Sequence, residues 1–389
     1  MSANFPNPPE LPSCSGPDGI LYDFNYGARV LLPEGKWHVI LMDDDSGNIL
    51  FSCDSEGGWV TSNKKYYVRF RIQVFHQGSA SPVLDETLDM KDKPVVIFFP
   101  TGTLGDMLGW FHYAERFRQL HRCQLECVMG QEIIELLSAQ YPEITFSTKD
   151  NLQTVNPYAS WYVGLFFKGD TTHQPIDFRK VGFHRNAGYI LGVDPRECPP
   201  RLKLDAERKI AEPYVCIAAQ STNQAKYWNN GHGWAEVVAH LKSLGYRVLC
   251  IDRHAHYGQG FVWNHIPQGA EDFTGNIPLQ ERVDLLKHAS FFIGLGSGLS
   301  WLAWASGIPV VLISGFSLPN SKFYTPWRVF SSHGCNGCWD DTSVDFHHVD
   351  YLWCPHHKNT PRQYECTSLI TGRQVIGMVD RLHSGLVDK

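Results

Sequence analysis

The sequence predicts an α/β protein with two parallel-sheet units in tandem, a small antiparallel β domain before them and a four-cysteine segment after them. Three observations predict this. Residues 94–99 and 310–313 are all-apolar runs of the kind that a parallel strand covered on both faces requires. Gly-rich turns at 102–105 and 294–298 each join an apolar run to a helical pattern, the opening of a nucleotide-binding βα unit. Finally, Cys335, Cys338, Cys354 and Cys366 lie within 32 residues of loop-rich text.

A chain of 389 residues suggests two or three domains at roughly 150 residues each. Apolar residues make up 43% and charged residues 19%, against roughly 25% charged in typical soluble domains, so disorder is excluded. With 34 basic and 40 acidic side chains the formal charge is -6, which argues against nucleic acid as the main partner.

Residues 1–92 read as the β domain, because short β-rich runs at 28–32, 37–42, 48–52, 59–60 and 66–75 are separated by Asp-, Ser- and Gly-containing turns. The 66–75 run alternates Arg69, Arg71 and Gln73 with aromatic and branched residues, as a half-buried strand should. Residues 93–205 form the first α/β unit: a strand at 94–99, a helix at 107–121 with Met107, Trp110, Phe111, Ala114 and Phe117 at helical spacing, a strand at 125–129 and a helix at 132–139. The stretch 141–205 is less legible, and the Pro-rich 194–200 is a plausible hinge. Residues 206–330 form the second unit, with strands at 214–218, 247–251, 291–293 and 310–313 and helices at 234–244, 279–288 and 298–306. The two units are expected to face each other across a cleft lined by strand ends, where open α/β sheets bind ligands. Residues 289–321 carry no charge, but Gly294, Gly296, Gly298, Gly307 and Pro309 break the run into pieces too short to span a membrane.

Residues 1–19 hold no Lys, Arg or apolar run and so do not read as a secretory signal. Eleven cysteines, an odd number and mostly scattered, suit reduced thiols in the cytoplasm better than a disulfide framework. The 331–389 segment is expected to carry a structural metal and a C-terminal helix. Four thiolates including one C-x-x-C fit a tetrahedral ion, with zinc and iron both compatible and His347, His348, His356 and His357 as substitute ligands.

Candidate ligand contacts cluster just past the predicted strands. Gly296, Ser297, Gly298 and Leu299 open a helix whose free amides suit a diphosphate. Lys226 follows the polar run Gln220, Ser221, Thr222, Asn223 and Gln224, and supplies a cation for the same phosphates. Asp106 opens the first helix. It reads either as a first-turn carboxylate stabilising that helix by about 1 kcal/mol or as a general base.

The motifs TGTLGDMLGW at 101–110, AAQSTNQAKYWNNGHGW at 218–234, LGSGLSWLAWASGIPVV at 295–311 and the four-cysteine spacing resemble those of the bacterial autotransporter heptosyltransferases. The resemblance covers nearly the whole chain. It implies a GT-B-like pair of Rossmann-type domains, ADP-heptose as donor and Ser hydroxyls of an autotransporter adhesin as acceptors. It also implies Asp106 as catalytic base, Thr103, Leu104, Gly105 and Lys226 as donor contacts, Fe³⁺ on the four cysteines and a homododecamer. The lipopolysaccharide heptosyltransferases resemble the chain less. Their donor motif Asp-Thr/Ser-Gly-x-x-His-Leu-Ala reads here Gly296, Ser297, Gly298, then Trp301, Leu302 and Ala303, without the acid or the histidine. The expected reaction is inverting transfer with Asp106 as base. The alternatives are lipopolysaccharide heptosyl transfer and a non-catalytic metal-containing module that binds a nucleotide or the adhesin.

Overall fold

The structure, a computed structural model, describes residues 6–99 and 102–387. They divide into two compact units. The first gathers 6–99, 102, 110–178 and 185–198; the second gathers 103–109, 179–184 and 199–387. The helix Leu104–His121 therefore contributes its first turns, up to Gly109, to the second unit and its remainder to the first.

In the first unit the apolar Pro94–Phe98 strand is central to a mixed eight-stranded sheet. Gln124–Val128, Thr145–Ser147 and Ala159–Tyr162 run parallel to it. Leu21–Asn25 extends the sheet in the same direction beside Ala159–Tyr162, and Arg29–Leu32 and Gly58–Thr61 then add antiparallel. The sequence suggested antiparallel pairing alone for this stretch. Leu21–Asn25 takes a parallel neighbour because four of its five side chains are buried, including Asp23 and Asn25. A second, antiparallel sheet holds Ile49–Ser55, Trp37–Asp43, Phe70–His76 and Leu84–Thr87. Its Trp37 and Phe70 strands alternate buried with half-exposed positions as the sequence predicts.

The second unit carries a six-stranded, all-parallel sheet in the order Glu271–Asp272, Arg247–Cys250, Tyr214–Ala218, Phe292–Leu295, Val310–Ile313, Arg328–Val329. Every residue of Tyr214–Ala218, Phe292–Leu295 and Val310–Ile313 is buried, which is why these strands read as unbroken apolar runs. The uncharged 289–321 stretch is strand, helix Gly298–Ala305 and strand. No helix among the described residues is long and apolar enough to cross a membrane. The C-terminal helix Gly372–Val387 packs Val375, Val379 and Leu382 into this unit's core beside Val237, Val238 and Leu241 of the helix Gly233–Ser243.

Candidate active site

In the second unit, Ala218 and Gly294 are register partners at the carboxyl ends of adjacent central strands. The loops leaving those ends carry most of the residues singled out in the sequence. Asp252, only 2% exposed at the end of the next strand, accepts hydrogen bonds from the backbone N–H groups of Ala219 (2.8 Å) and Gln220 (3.2 Å). Burial raises its pKa to about 6 against the lowering effect of those amides. Gln220 in turn donates through Nε2 to the His254 carbonyl at 2.8 Å. The polar run then closes into a short turn, Gln224–Lys226, capped by the Asn223 side chain on the Ala225 amide at 2.9 Å.

Lys226 is half-buried over the rings of Phe316 and Trp339, 5.8 and 5.9 Å from their centroids. Burial lowers its pKa, and the negative charge of Asp106 opposes the shift. Beneath the neighbouring strand end, Ser297 precedes the helix Gly298–Ala305 without capping its first amides through its side chain. Gly296 lies close under the Lys322 side chain: a Cβ there would lie 2.9 Å from Lys322 Cε.

The start of the Leu104–His121 helix belongs to the same unit and docks on these loops. A Cβ at Gly298 would lie 2.9 Å from Leu104 Cβ, and a Cβ at Gly105 would lie 2.8 Å from Trp301 Cδ1. Trp301, which replaces the histidine of the lipopolysaccharide enzymes' motif, is 1% exposed and packs edge-on against Phe183 and Phe323. Asp106 reaches back over the helix start, its Oδ2 accepting from Thr103 N (2.8 Å) and Oγ1 (2.9 Å). Asp106 Oδ1 accepts no hydrogen bond from the described residues. Thr101, the first residue of the motif, lies outside the described residues.

Sequence reasoning missed Lys322. It is 7% exposed, and burial first, then the charge of Lys226, brings its pKa down to about 7, while Asp340 and Asp106 oppose the fall. Its ammonium sits 5.2 Å from the centre of the Phe183 ring. Asp340 anchors the turn that carries it, accepting from the Leu318 amide at 2.6 Å and from the Ser321 hydroxyl. The available signal was that Lys322 is the first charge after the uncharged 289–321 run. Thus two buried or half-buried ammonium groups, Lys226 and Lys322, share an electrostatic neighbourhood with the carboxylates of Asp106 and Asp340 at a helix N-terminus.

Cys335, Cys338, Cys354 and Cys366 are all free thiols lining one cavity of about 10 Å³, together with Ala225 and Phe316. Of the four histidines considered as substitutes, only His357 lines it. Burial and the neighbouring sulfurs push the thiol of Cys338 far up, and burial pushes Cys366 up to about 12. Among the described residues no three His, Cys, Asp or Glu groups stand close enough to hold a metal as placed. A formed tetrahedral site is therefore not what the structure displays. Four sulfurs around so small a space have the chemistry to take one ion in their thiolate form, and as thiols they pack with Phe316, Trp353 and Tyr364 in an apolar cluster. The segment is tied to the loop beneath Lys226 through Gly337 N–Gly315 O (2.9 Å) and Trp339 N–Phe316 O (3.1 Å).

Residues 16–78 match the family described as glycosyltransferase TibC, N-terminal domain, and residues 193–343 match glycosyltransferase family 9 (heptosyltransferase). The autotransporter heptosyltransferase BAHTCr of Citrobacter rodentium is 74% identical over 387 residues, spanning 100% of this chain and 95% of that protein. The chain belongs to the autotransporter heptosyltransferase family. The autotransporter heptosyltransferase TibC of Escherichia coli is 73% identical over 99% of this chain and 95% of its own length. The crystal structure of dodecameric, iron-containing TibC in complex with ADP-D-beta-D-heptose superposes with a TM-score of 0.97, covering 98% of this chain and all of that one. The fold is accordingly the GT-B-like glycosyltransferase fold, and this autotransporter heptosyltransferase is a glycosyltransferase of family 9. The same family holds BimC of Burkholderia thailandensis, 43% identical over 95% of this chain and 88% of its own length, which is described as inactive.

Proposed function

We propose that this heptosyltransferase transfers heptose from ADP-heptose to Ser hydroxyls of an autotransporter adhesin with inversion at the anomeric carbon. The observation that carries the reading is Asp106, whose Oδ1 accepts no hydrogen bond from the described residues, in the electrostatic neighbourhood of Lys226 and Lys322. In this reading the donor diphosphate lies on the two ammonium groups and on the open helix start at Gly296, Ser297, Gly298 and Leu299. Thr103, Leu104, Gly105 and Gln220 flank the donor. The serine Oγ attacks the anomeric carbon, the bond from that carbon to the phosphate oxygen breaks with its electron pair leaving on ADP, and the serine proton passes to Asp106. The lysines and helix amides stabilise the departing diphosphate.

Residues 1–92 serve as an accessory β region, 93–205 as the acceptor side, 206–330 as the nucleotide-sugar side and 331–389 as the metal segment. Cys335, Cys338, Cys354 and Cys366 hold the metal, Fe³⁺ by analogy with iron-containing TibC and Zn²⁺ as the alternative. When bound, the ion supplies structural cross-linking of the 331–389 segment. Assembly as a dodecamer is supported by the TibC crystal structure, and a cytoplasmic setting by eleven free thiols.

Because the family includes a member described as inactive, the deciding test is transfer by this chain itself. Purified protein, ADP-heptose and a co-expressed adhesin passenger should yield free ADP and a heptose mass increment on serine. No ADP release from that mixture overturns enzymatic transfer, and transfer only to a lipopolysaccharide acceptor overturns the choice of acceptor.

A further inference from the structure

The turn that carries Lys226 starts at Gln224, which is 5% exposed and engaged at every polar atom. Its Oε1 accepts from Asn264 Nδ2 at 2.8 Å and from the Tyr351 hydroxyl at 3.2 Å, and its Nε2 donates to Asn229 Oδ1 at 2.8 Å. The backbone is used as well. The Gln224 amide donates to the Tyr351 carbonyl at 3.0 Å, and its carbonyl accepts from the Tyr227 amide at 3.0 Å and from Asn229 Nδ2 at 3.1 Å. Asn229 is itself fixed, because its Nδ2 also donates to the Tyr227 carbonyl at 2.9 Å. A reversed Gln224 amide would set nitrogen against Asn264 Nδ2 and oxygen against Asn229 Oδ1, so one orientation satisfies the group.

The three partners come from separate parts of the second unit. Asn229 precedes the helix Gly233–Ser243, and Asn264 lies on the strand Val262–His265, which pairs with His256–Gln259 in a two-stranded hairpin. Tyr351, 5% exposed, belongs to the cysteine segment. One buried carboxamide thus ties the turn to a helix approach, a hairpin and the segment that holds Cys354.

Lys226 lacks any such restraint on its own side chain. Its ammonium lies over the Phe316 and Trp339 rings, and among the described residues it makes no hydrogen bond or ion pair. A lysine is a point charge on a flexible stem, so its aim depends on the backbone from which it leaves. Placement is a sensitive quantity in such a site, where a shift of about 1 Å can cost about 10²-fold. We propose that Gln224 is the positioning residue for Lys226: by clamping the turn to Asn229, Asn264 and Tyr351 it directs the ammonium at the donor diphosphate without touching the donor. This role rests on the donor site proposed above. Gln224 itself has no unmatched polar atom to offer a ligand.

The test is a double-mutant cycle on ADP affinity, measured by titration calorimetry of the full chain. Lys226→Met should weaken ADP binding about 30-fold, the worth of a charged contact. Gln224→Leu keeps the side-chain size and removes its hydrogen bonds. It should weaken binding about tenfold in the wild-type background and leave it unchanged in the Lys226→Met background. Asn264→Leu removes only the hairpin arm, from a half-buried position, and should follow the same pattern at about threefold. It carries the test alone if circular dichroism shows Gln224→Leu unfolded. A residue that merely stabilises the fold would lower the melting temperature and weaken ADP equally in both backgrounds. Equal losses in the two backgrounds, or no loss in either, therefore overturn the positioning role and leave the donor site standing. Wild-type affinity in Lys226→Met instead removes Lys226 from the donor site, and the positioning role falls with it.

Discussion

In the proposed reaction Asp106 has two roles on separate oxygens: Oδ2 closes the helix start with Thr103, and Oδ1, which accepts no hydrogen bond from the described residues, takes the proton. Asp106→Asn keeps an acceptor for the Thr103 amide and removes the base. Stability should therefore hold within about 1 kcal/mol while transfer falls about 10²–10⁴-fold, measured by thermal melting and ADP release. A fall in both together would make Asp106 a helix residue only. Lys322 gives a pH test. Its folded pKa, about 7, lies below that of an unfolded lysine, so between the two values the unfolded chain binds more protons and stability of the donor-free protein rises with pH. Affinity for ADP runs the opposite way, weakening above about pH 7 as the ammonium loses its proton. Lys322→Met should flatten both trends in calorimetric titrations. Asp106 and Lys226 were legible because each stands in a polar break next to an apolar run. Lys322 was not, because its partner Gly296 is 26 positions away in sequence, and only the parallel pairing of Phe292–Leu295 with Val310–Ile313 brings the two loops together.

At the scale of elements, the site depends on two helix starts that approach at glycine. Gly105→Val would drive a branched side chain into the buried Trp301 ring. It should cost about 1–3 kcal/mol by thermal or denaturant unfolding and reduce ADP binding, because Asp106 follows directly. A variant with native stability would mean that the Trp301 ring moves aside freely. The strands of the second unit were readable because doubly covered strands need continuous apolar side chains. Ala159–Tyr162 escaped notice in the 141–205 stretch: four residues, Ala-Ser-Trp-Tyr, carry no branched apolar run, yet all four are buried between the Pro94 and Leu21 strands. The same burial explains Leu21–Asn25, whose Asp23 and Asn25 look like loop residues until Arg29 is seen to pair with Asp23 and the Pro157 carbonyl to accept from Asn25 Nδ2.

For the molecule as a whole, the cysteine segment is hydrogen-bonded to Gly315 and Phe316, and the Phe316 and Trp339 rings lie against Lys226, so the proposed metal and the proposed donor site are expected to be coupled. Cys335→Ser should lower iron per chain by metal analysis, reduce the melting temperature and weaken ADP binding. Light scattering should also report loss of the large assembly. Full metal content in that variant would exclude Cys335 as a ligand. By itself the sequence determined the two kinds of sheet, the Gly-rich helix starts, the cysteine cluster and the candidate acid and cation, because each is a local pattern of polarity or spacing. The tertiary structure decided which of them act together. It placed the first turns of the Leu104–His121 helix in the second unit and set Lys322 beside Gly296. Burial and charge balance depend on neighbours far apart in the chain, and no run of residues records them.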